Sequence, residues 1–446
     1  MTVDRRGVPV SGADEAAVAG YERALGAFQS YVGDPVAMID ETLASAPAFL
    51  AGHALKAFAL YSLAERPFAA MASDALATAR AHAAGATERE RELLAAGGQL
   101  VAGDWDAASL TLDRVLARHP RDALALQIGH LMDFFRGDSA NLRNRVSRVL
   151  PHWDADVPGY SYVLGMHAFG LEEMNQYREA EEVGRRALGI EPRDGWSVHA
   201  VTHVMEMQGR IDEGVDWLAS RETDWAPDNG FAFHNFWHLG LFLLDHGDVA
   251  GALALYDRHV HPEPAAFALS LLDATALLWR IALEDGEVGT RWSAVADDWA
   301  QRLARDENGF YAFNDLHALL AFVATGREAE AAQVVACLRR AADGAGSNAA
   351  MSRDVGLPLA LAIVDYGRGR YASAADGIEA VRNIAHRFGG SHAQRDLLTL
   401  TLIEAATRAG DRARAAHYIA ERLVHKPGSA WGPRLMRRLE AGQANA

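Results

Sequence analysis

The feature that most constrains this chain is a turn that recurs along it. Helical segments with one apolar face stop at a short mark, usually Gly followed by Asp or Arg, and a second amphipathic segment begins at once. The marks are VAGDWDAAS (Gly103), FRGDSANL (Gly137), NQYREAEE (Gln176), QGRIDEGV (Gly209), HGDVAGAL (Gly247), EDGEVGTR (Gly286), TGREAEAA (Gly326), RGRYASAA (Gly369) and AGDRARAA (Gly410). They lie 33 to 43 residues apart, the period of arrays built from helix–turn–helix units. The residue types fit the geometry. Gly tolerates the left-handed conformation that ends a helix, and Asp accepts the first backbone N–H groups of the next one. In LARHPRDALAL and LGIEPRDGWSV a second mark follows, where Pro120 and Pro192 end a helix and Asp122 and Asp194 cap the next.

This pattern resembles the tetratricopeptide repeat, and an earlier unit is expected near Glu65. The expected fold is all-α: a tetratricopeptide-like solenoid of about nine to ten helix–turn–helix units, strongly curled. A single array over residues 14–440 is expected, with a flexible N-terminus at 1–13 and a flexible tail at 441–446.

Charge narrows the partners. Lys plus Arg number 43 against 59 Asp plus Glu, a formal net charge of -16. Such a surface repels phosphate backbones and anionic lipid, so neither nucleic acid nor membrane is expected as a partner. Cys337 is the only cysteine and lies on the apolar side of a helical stretch, which reads as a buried inert thiol and suits a cytoplasmic protein. The N-terminus carries no apolar signal segment. The longest apolar run, AAFALSLLDATALLWRIAL, contains Asp273 and Arg280 and is read as a buried helix rather than a membrane span.

Unusual polar residues fall on the first helix of each pair, the one that lines the inner face of such arrays. VHAVTHVMEMQGR places His199, His203 and Glu206 at i, i+4 and i+7, on one stripe of a helix. His234 and His238 lie in FHNFWHLGLFLLDHGD, and Asp315 and His317 in FNDLHALLAF. Three readings stay open: half-buried histidines that only hydrogen-bond along a groove; a zinc-like divalent metal held by His199, His203, His234 and His238; and a metal-free acid–base group.

Three further polar stretches stand out. SRDVGLP sets Arg353 and Asp354 before a helix start, and GGSHAQRDLL sets His392, Gln394, Arg395 and Asp396 in the first turns of one. LLDATALLWR places Asp273 and Arg280 on one face of an apolar helix. Each charge is expected to pair with another helix, either to fix the stacking or as a clamp for a carboxylate or phosphate. No phosphate-binding loop, dinucleotide fingerprint, nucleophile elbow or calcium loop is present.

The runs VHAVTHVMEMQGR, HNFWHLGLFLLDHGDVAGALALYDRH, FNDLHALLAF, RDVGLPL and GGSHAQRD, in that order, resemble the tetratricopeptide repeat protein 38 family in bacterial form, over roughly residues 155–410. The resemblance implies a tetratricopeptide-like helical fold. It also implies that His199, His203, Glu206, His234, Asn235, His238, Asp257, His259, Asn314, Asp315, His317, Arg353, Asp354, Gln394, Arg395 and Asp396 belong to the family pattern.

The leading expectation is an enclosed interior site for a small polar, anionic molecule. His199, His203, Glu206, His234, His238, Asp315 and His317 would form the acid–base or metal-binding group, with Glu206 or Asp315 orienting an imidazole. Asn235, Asn314, Arg353, Asp354, Gln394, Arg395 and Asp396 would bind the ligand, with Arg353 and Arg395 receiving a carboxylate. If there is catalysis, hydrolysis or elimination without an organic cofactor is expected. The alternative is a scaffold that holds a peptide segment in its concave groove. The sequence does not specify an oligomeric state.

Overall fold

The computed structural model describes residues 2–444, with side chains through residue 440. Helix follows helix from Glu15 to Ala444. β-structure among the described residues is limited to Thr2–Val3 paired with Pro9–Val10 and one bridge between Val32 and Asn229. The chain is a tetratricopeptide-like all-α repeat protein.

The turns form for the reason their composition suggests. Gly103, Gly137, Gly209, Gly247, Gly326, Gly369 and Gly410 all adopt φ between 63 and 85°, a region where a Cβ would be unfavourable. At the Gln176 and Gly286 marks the left-handed residue sits one step earlier, at Asn175 (59°) and Asp285 (58°). Asp104, Asp138, Asp248 and Asp411 then accept from the N–H groups of Ala107, Asn141, Gly251 and Arg414.

The chain divides into two compact units, one of residues 1–201 and 223–231, the other of residues 202–222 and 232–446. The division falls inside the helix Gly195–Gln208, where composition marks no boundary. The first unit stacks the hairpins Glu15–Ser30/Pro35–Ser45, Leu50–Tyr61/Arg66–Ala81, Glu88–Val101/Trp105–Arg118, Ala123–Phe135/Ser139–Val149 and Tyr160–Glu173/Tyr177–Ile190. Buried ion pairs tie neighbouring elements, Arg89 Nε to Asp122 Oδ2 at 2.6 Å and Arg145 Nε to Asp133 Oδ2 at 2.7 Å. Within residues 1–13, expected as a flexible terminus, the short hairpin instead packs down. Val8 and Val10 are buried, and buried Arg6 pairs with Glu22 at 2.8 Å. Of the tail expected at 441–446, the helix Trp431–Ala444 runs through the first four positions, and residues 445–446 lie outside the described residues.

In the second unit the inner helices are Ala232–His246, Ala268–Leu283, Ala312–Ala324, Leu357–Gly367 and His392–Arg408. The first four pack successively on one another, and Ala268–Leu283 also packs on His392–Arg408, so the row curls back on itself. Trp279 Nε1 donates to Thr401 Oγ1 at 3.0 Å across that contact. The end of the chain completes the closure. Asp245, at the end of the first inner helix, accepts from Ser429 Oγ (2.6 Å), Ala430 N (2.6 Å) and Trp431 N (3.2 Å). Arg434 donates to the carbonyls of Leu244 (2.9 Å) and Asp245 (2.5 Å). The strongly curled form expected from the repeats is present in this unit.

Closure through one buried carboxylate makes a stability prediction. Asp245→Ala takes the acceptor from the Ser429 hydroxyl and the Ala430 N–H and leaves the Trp431 N–H only Ser429 Oγ, and should cost about 3 kcal/mol. Glu328→Ala, which removes the exposed partner of Arg368, should change stability by less than about 1 kcal/mol. Guanidinium unfolding of the two variants beside the parent protein measures both.

Candidate functional site

Several polar residues of the second unit's inner helices lie in the N-terminal halves of those helices. His234 and His238 lie early in Ala232–His246, Asp273 in the first half of Ala268–Leu283, Asn314, Asp315 and His317 early in Ala312–Ala324, and Gln394 to Asp396 in the first turns of His392–Arg408. Each hairpin returns the chain to its starting level, so successive inner helices run the same way. Their N-termini therefore collect at one end of the unit, where the backbone N–H groups point.

At that end three imidazoles meet. The His203 and His238 ring centroids are 4.5 Å apart and those of His234 and His238 4.9 Å apart. All three rings are buried. Each offers a ring nitrogen within 4.8 Å of those of the others. His234 Nδ1 lies 2.6 Å from Asp273 Oδ2, and His238 Nδ1 lies 2.7 Å from Glu206 Oε2. Where the carboxylate oxygen accepts, Nδ1–H is the donor of each pair.

Both carboxylates have a second partner. Asp273 is hydrogen-bonded by the Gln394 side chain, while Gln394 Oε1 accepts from Ser391 N at 3.0 Å in the cap of its own helix. Glu206 Oε1 accepts from Lys426 Nζ at 3.0 Å. Lys426 also lies 3.4 Å from Asp396, which Arg422 grips with Nε (3.1 Å) and Nη2 (2.9 Å). The result is a buried chain, His238–Glu206–Lys426–Asp396–Arg422, that alternates in charge from Glu206 onward.

Burial sets the titration of these groups. His238 is held well below the ordinary imidazole value, first by burial and then by His203, His234 and the charges of Lys426 and Arg280. Burial raises Asp273, opposed by His234 and Arg280. Burial alone would raise Asp396 too, but Arg422 and Lys426 outweigh it and hold its carboxyl far below the usual range. Burial lowers Arg280 to about 10, against the pull of Asp396 and Glu206.

Other residues expected at the site have partners of their own. His199 falls in the first unit, where its ring packs among Trp196 (5.0 Å), Phe169 (5.1 Å) and Phe231 (5.2 Å). Asn235 and Asn314 are buried on their helices. Asp315 accepts from Asn308 Nδ2 (2.8 Å) and Gly309 N (3.0 Å), so it bonds the loop before its helix. His317 Nδ1 donates to Phe313 O at 2.8 Å. The Arg353 side chain is 58 % exposed; it reaches Ala342 O at 3.3 Å and Asp354 at 3.4 Å. Asp354 also faces Arg387 at 3.6 Å. Arg395 donates to the carbonyls of Gly389 and Gly390. Asp257, part of the family pattern, pairs with Arg291 at the surface, and His259 stacks on Phe236 at 3.8 Å.

Lys426, Arg422 and the pairing of Asp273 with His234 went unread in the sequence. Asp273 announced itself as a charge inside an apolar run. Lys426 had no such signal, since it follows a helix in HKPGS near the end of the chain.

Fold and site together define an all-α helical-repeat protein with a histidine cluster on its inner helices. No protein-family model matches the chain. Over 121 residues it is 31% identical to cellulose synthase 1 operon protein C of Komagataeibacter xylinus, a match covering 27% of this chain and 9% of that protein. The chain thus spans less than a tenth of that relative's length. Solved structures with a similar arrangement include a tetratricopeptide repeat protein from Parabacteroides merdae, at 14% identity and a TM-score of 0.36 over 63% of this chain and 98% of that one. Another is a monomeric mutant of IFIT1 with m7Gppp-AAAA, at 12% identity and a TM-score of 0.43 over 97% of this chain and 96% of that one. Among the described residues no helix is long and apolar enough to cross a membrane.

The depressed imidazoles predict an acid-labile fold. His317 is lowered from 6.5 to about 4, chiefly by burial, with Arg280 adding to the effect and the Phe313 carbonyl opposing it. The unfolded chain takes up this proton near pH 6.5 and the native state only near pH 4. Its contribution is thus fully present above pH 6.5 and is lost as pH falls through that window, at up to about 1.4 kcal/mol per pH unit. His317→Gln should be less stable at pH 7 but show a shallower decline toward pH 5, by about one proton. Unfolding free energies across that range test it.

Proposed function

We propose that the second unit holds a divalent metal of the zinc type on His203, His234 and His238, and acts with it on a small polar, anionic molecule by hydrolysis or elimination. One observation carries this reading: two of the three imidazoles are backed at Nδ1 by buried carboxylates. That arrangement fixes the tautomer, aims Nε2 and raises its basicity, as metal-ligating histidines commonly require. Two ligands on one zinc lie at most about 4.2 Å apart, so the spacing of up to 4.8 Å closes with a small ring rotation. His199, named with these three in the sequence, belongs to the first unit.

A bound ion would supply Lewis acidity toward a carbonyl or phosphoryl oxygen. The chain's own groups would do the rest. Asp273 and Glu206 hold the imidazoles, and Lys426 donates to Glu206. Without an ion, the same His–carboxylate pairs could move a proton. The tetratricopeptide repeat protein 38 resemblance supports the reading because its shared positions include these residues. A peptide held in a concave groove is less well supported here, since the inner helices of this unit pack on one another.

Metal analysis of protein purified without chelator tests the proposal. About one equivalent of zinc or a similar divalent ion is expected, largely lost in His203→Ala and His238→Ala. Glu206→Gln should weaken metal affinity about 10–100-fold. A substoichiometric content that does not respond to His203→Ala would remove the metal.

A further inference from the structure

We infer that Arg280 is the receptor for the anionic group of the ligand: it is buried, its bonds go to carbonyl oxygens, and it shares one indole with both carboxylate-backed imidazoles. The inference rests on the second unit being a ligand site, but not on the metal.

The comparison that singles out Arg280 is with the other buried arginines. Arg6 pairs with Glu22, Arg89 with Asp122, Arg145 with Asp133, Arg302 with Glu307 and Arg422 with Asp396, all at 3.0 Å or less. Arg280 is 1% exposed and makes no ion pair among the described residues. Its Nη1 donates to Ala276 O at 3.1 Å, on its own helix, and its Nη2 to Ala393 O at 2.7 Å and Gln394 O at 3.5 Å. Carbonyl oxygens satisfy N–H groups but do not neutralise a full charge. The carboxylates that pull on it most, Asp396 and Glu206, are bonded instead to Arg422, Lys426 and His238. A buried cation with that deficit suits an anion that arrives with the ligand.

Its position fits the role. The guanidinium carbon sits 5.3 Å from the Trp237 ring centroid, and the same ring lies 5.2 Å from His234 and 4.8 Å from His238. One rigid, fully buried indole thus spaces the cation from the imidazoles. A planar fork over an aromatic face suits a carboxylate or phosphate group gripped by two N–H donors. Arg353 and Arg395, the arginines that the sequence favoured, lack this setting, one being exposed at the surface and the other engaged with the Gly389–Gly390 turn. A group that reaches Arg280 must leave bulk water entirely, which selects a small molecule over a peptide segment.

The test uses the full chain, titrated with sodium acetate and sodium phosphate against sodium chloride at matched ionic strength, followed by calorimetry and thermal unfolding. The parent protein should bind one of the two anions saturably: acetate would identify a carboxylate ligand, phosphate a phosphorylated one. Arg280→Met should weaken that binding at least tenfold. Arg280→Lys, which keeps the charge but not the fork, should also weaken it about tenfold and serves if the Met variant does not fold. Arg353→Met should bind as the parent does. Unchanged affinity in Arg280→Lys or Arg280→Met, or no saturable binding of either anion by the parent, overturns the inference. Metal content measured on the same samples separates the two ideas: loss of metal with anion binding intact removes the ion and leaves Arg280 in place.

Discussion

A hydrogen bond of 3.0 Å between Lys426 and Glu206 joins residues 220 positions apart, and the site depends on it. A row of helical hairpins buries its apolar faces only against neighbours, so its ends are open unless something folds back over them. In the second unit the last helices do so. The lysine they deliver fills a specific need, because Glu206 already serves His238 and would otherwise be a buried anion with one neutral partner. Burying such a charge without a counterion costs several kcal/mol. Closure of the unit therefore also supplies Glu206 with its cationic partner, and Glu206 in turn accepts from His238 Nδ1.

The same logic explains why Asp245 and Asp396 lie where they do. Asp245 takes the chain's return at Ser429–Trp431, and Asp396 takes Arg422 from the preceding outer helix. These carboxylates are placed by structural demand. Asp273 is different: among the described residues its bonded partners are His234 and an amide, and burial works against its ionisation. An acid kept in that condition orients an imidazole.

Local chemistry made the repeats legible. A left-handed residue followed by a capping Asp is decided within four or five residues, so Gly103, Gly137 and Gly410 could be read directly. The two exceptions are instructive. Asn175 and Asp285 are the other residue types that tolerate a positive φ, so each turn forms one residue earlier than the Gly-centred pattern suggests. The grouping of His203, His234 and His238 was also legible, since helix periodicity fixes the face and the repeat period fixes the level. What no local rule could supply was the identity of distant partners. Asp315 looked like an orienting acid from its place beside His317, but its described bonds go to Asn308 and Gly309, a loop whose path is a tertiary outcome. Arg353 looked like an anion receptor because it precedes a helix; the wide turn Ser352–Gly356 sends its side chain outward.

A chain with a formal charge of -16 is a poor attractor of anions at long range, yet screening confines that repulsion to about 8–10 Å at physiological salt. Inside the second unit the balance is local. Lys426 and Arg422 are bonded to Glu206 and Asp396, whereas the bonds of Arg280 among the described residues go to carbonyl oxygens. In a low-dielectric interior an unmatched charge is felt more strongly than the whole surface. The acidic exterior therefore does not argue against the anionic guest proposed above.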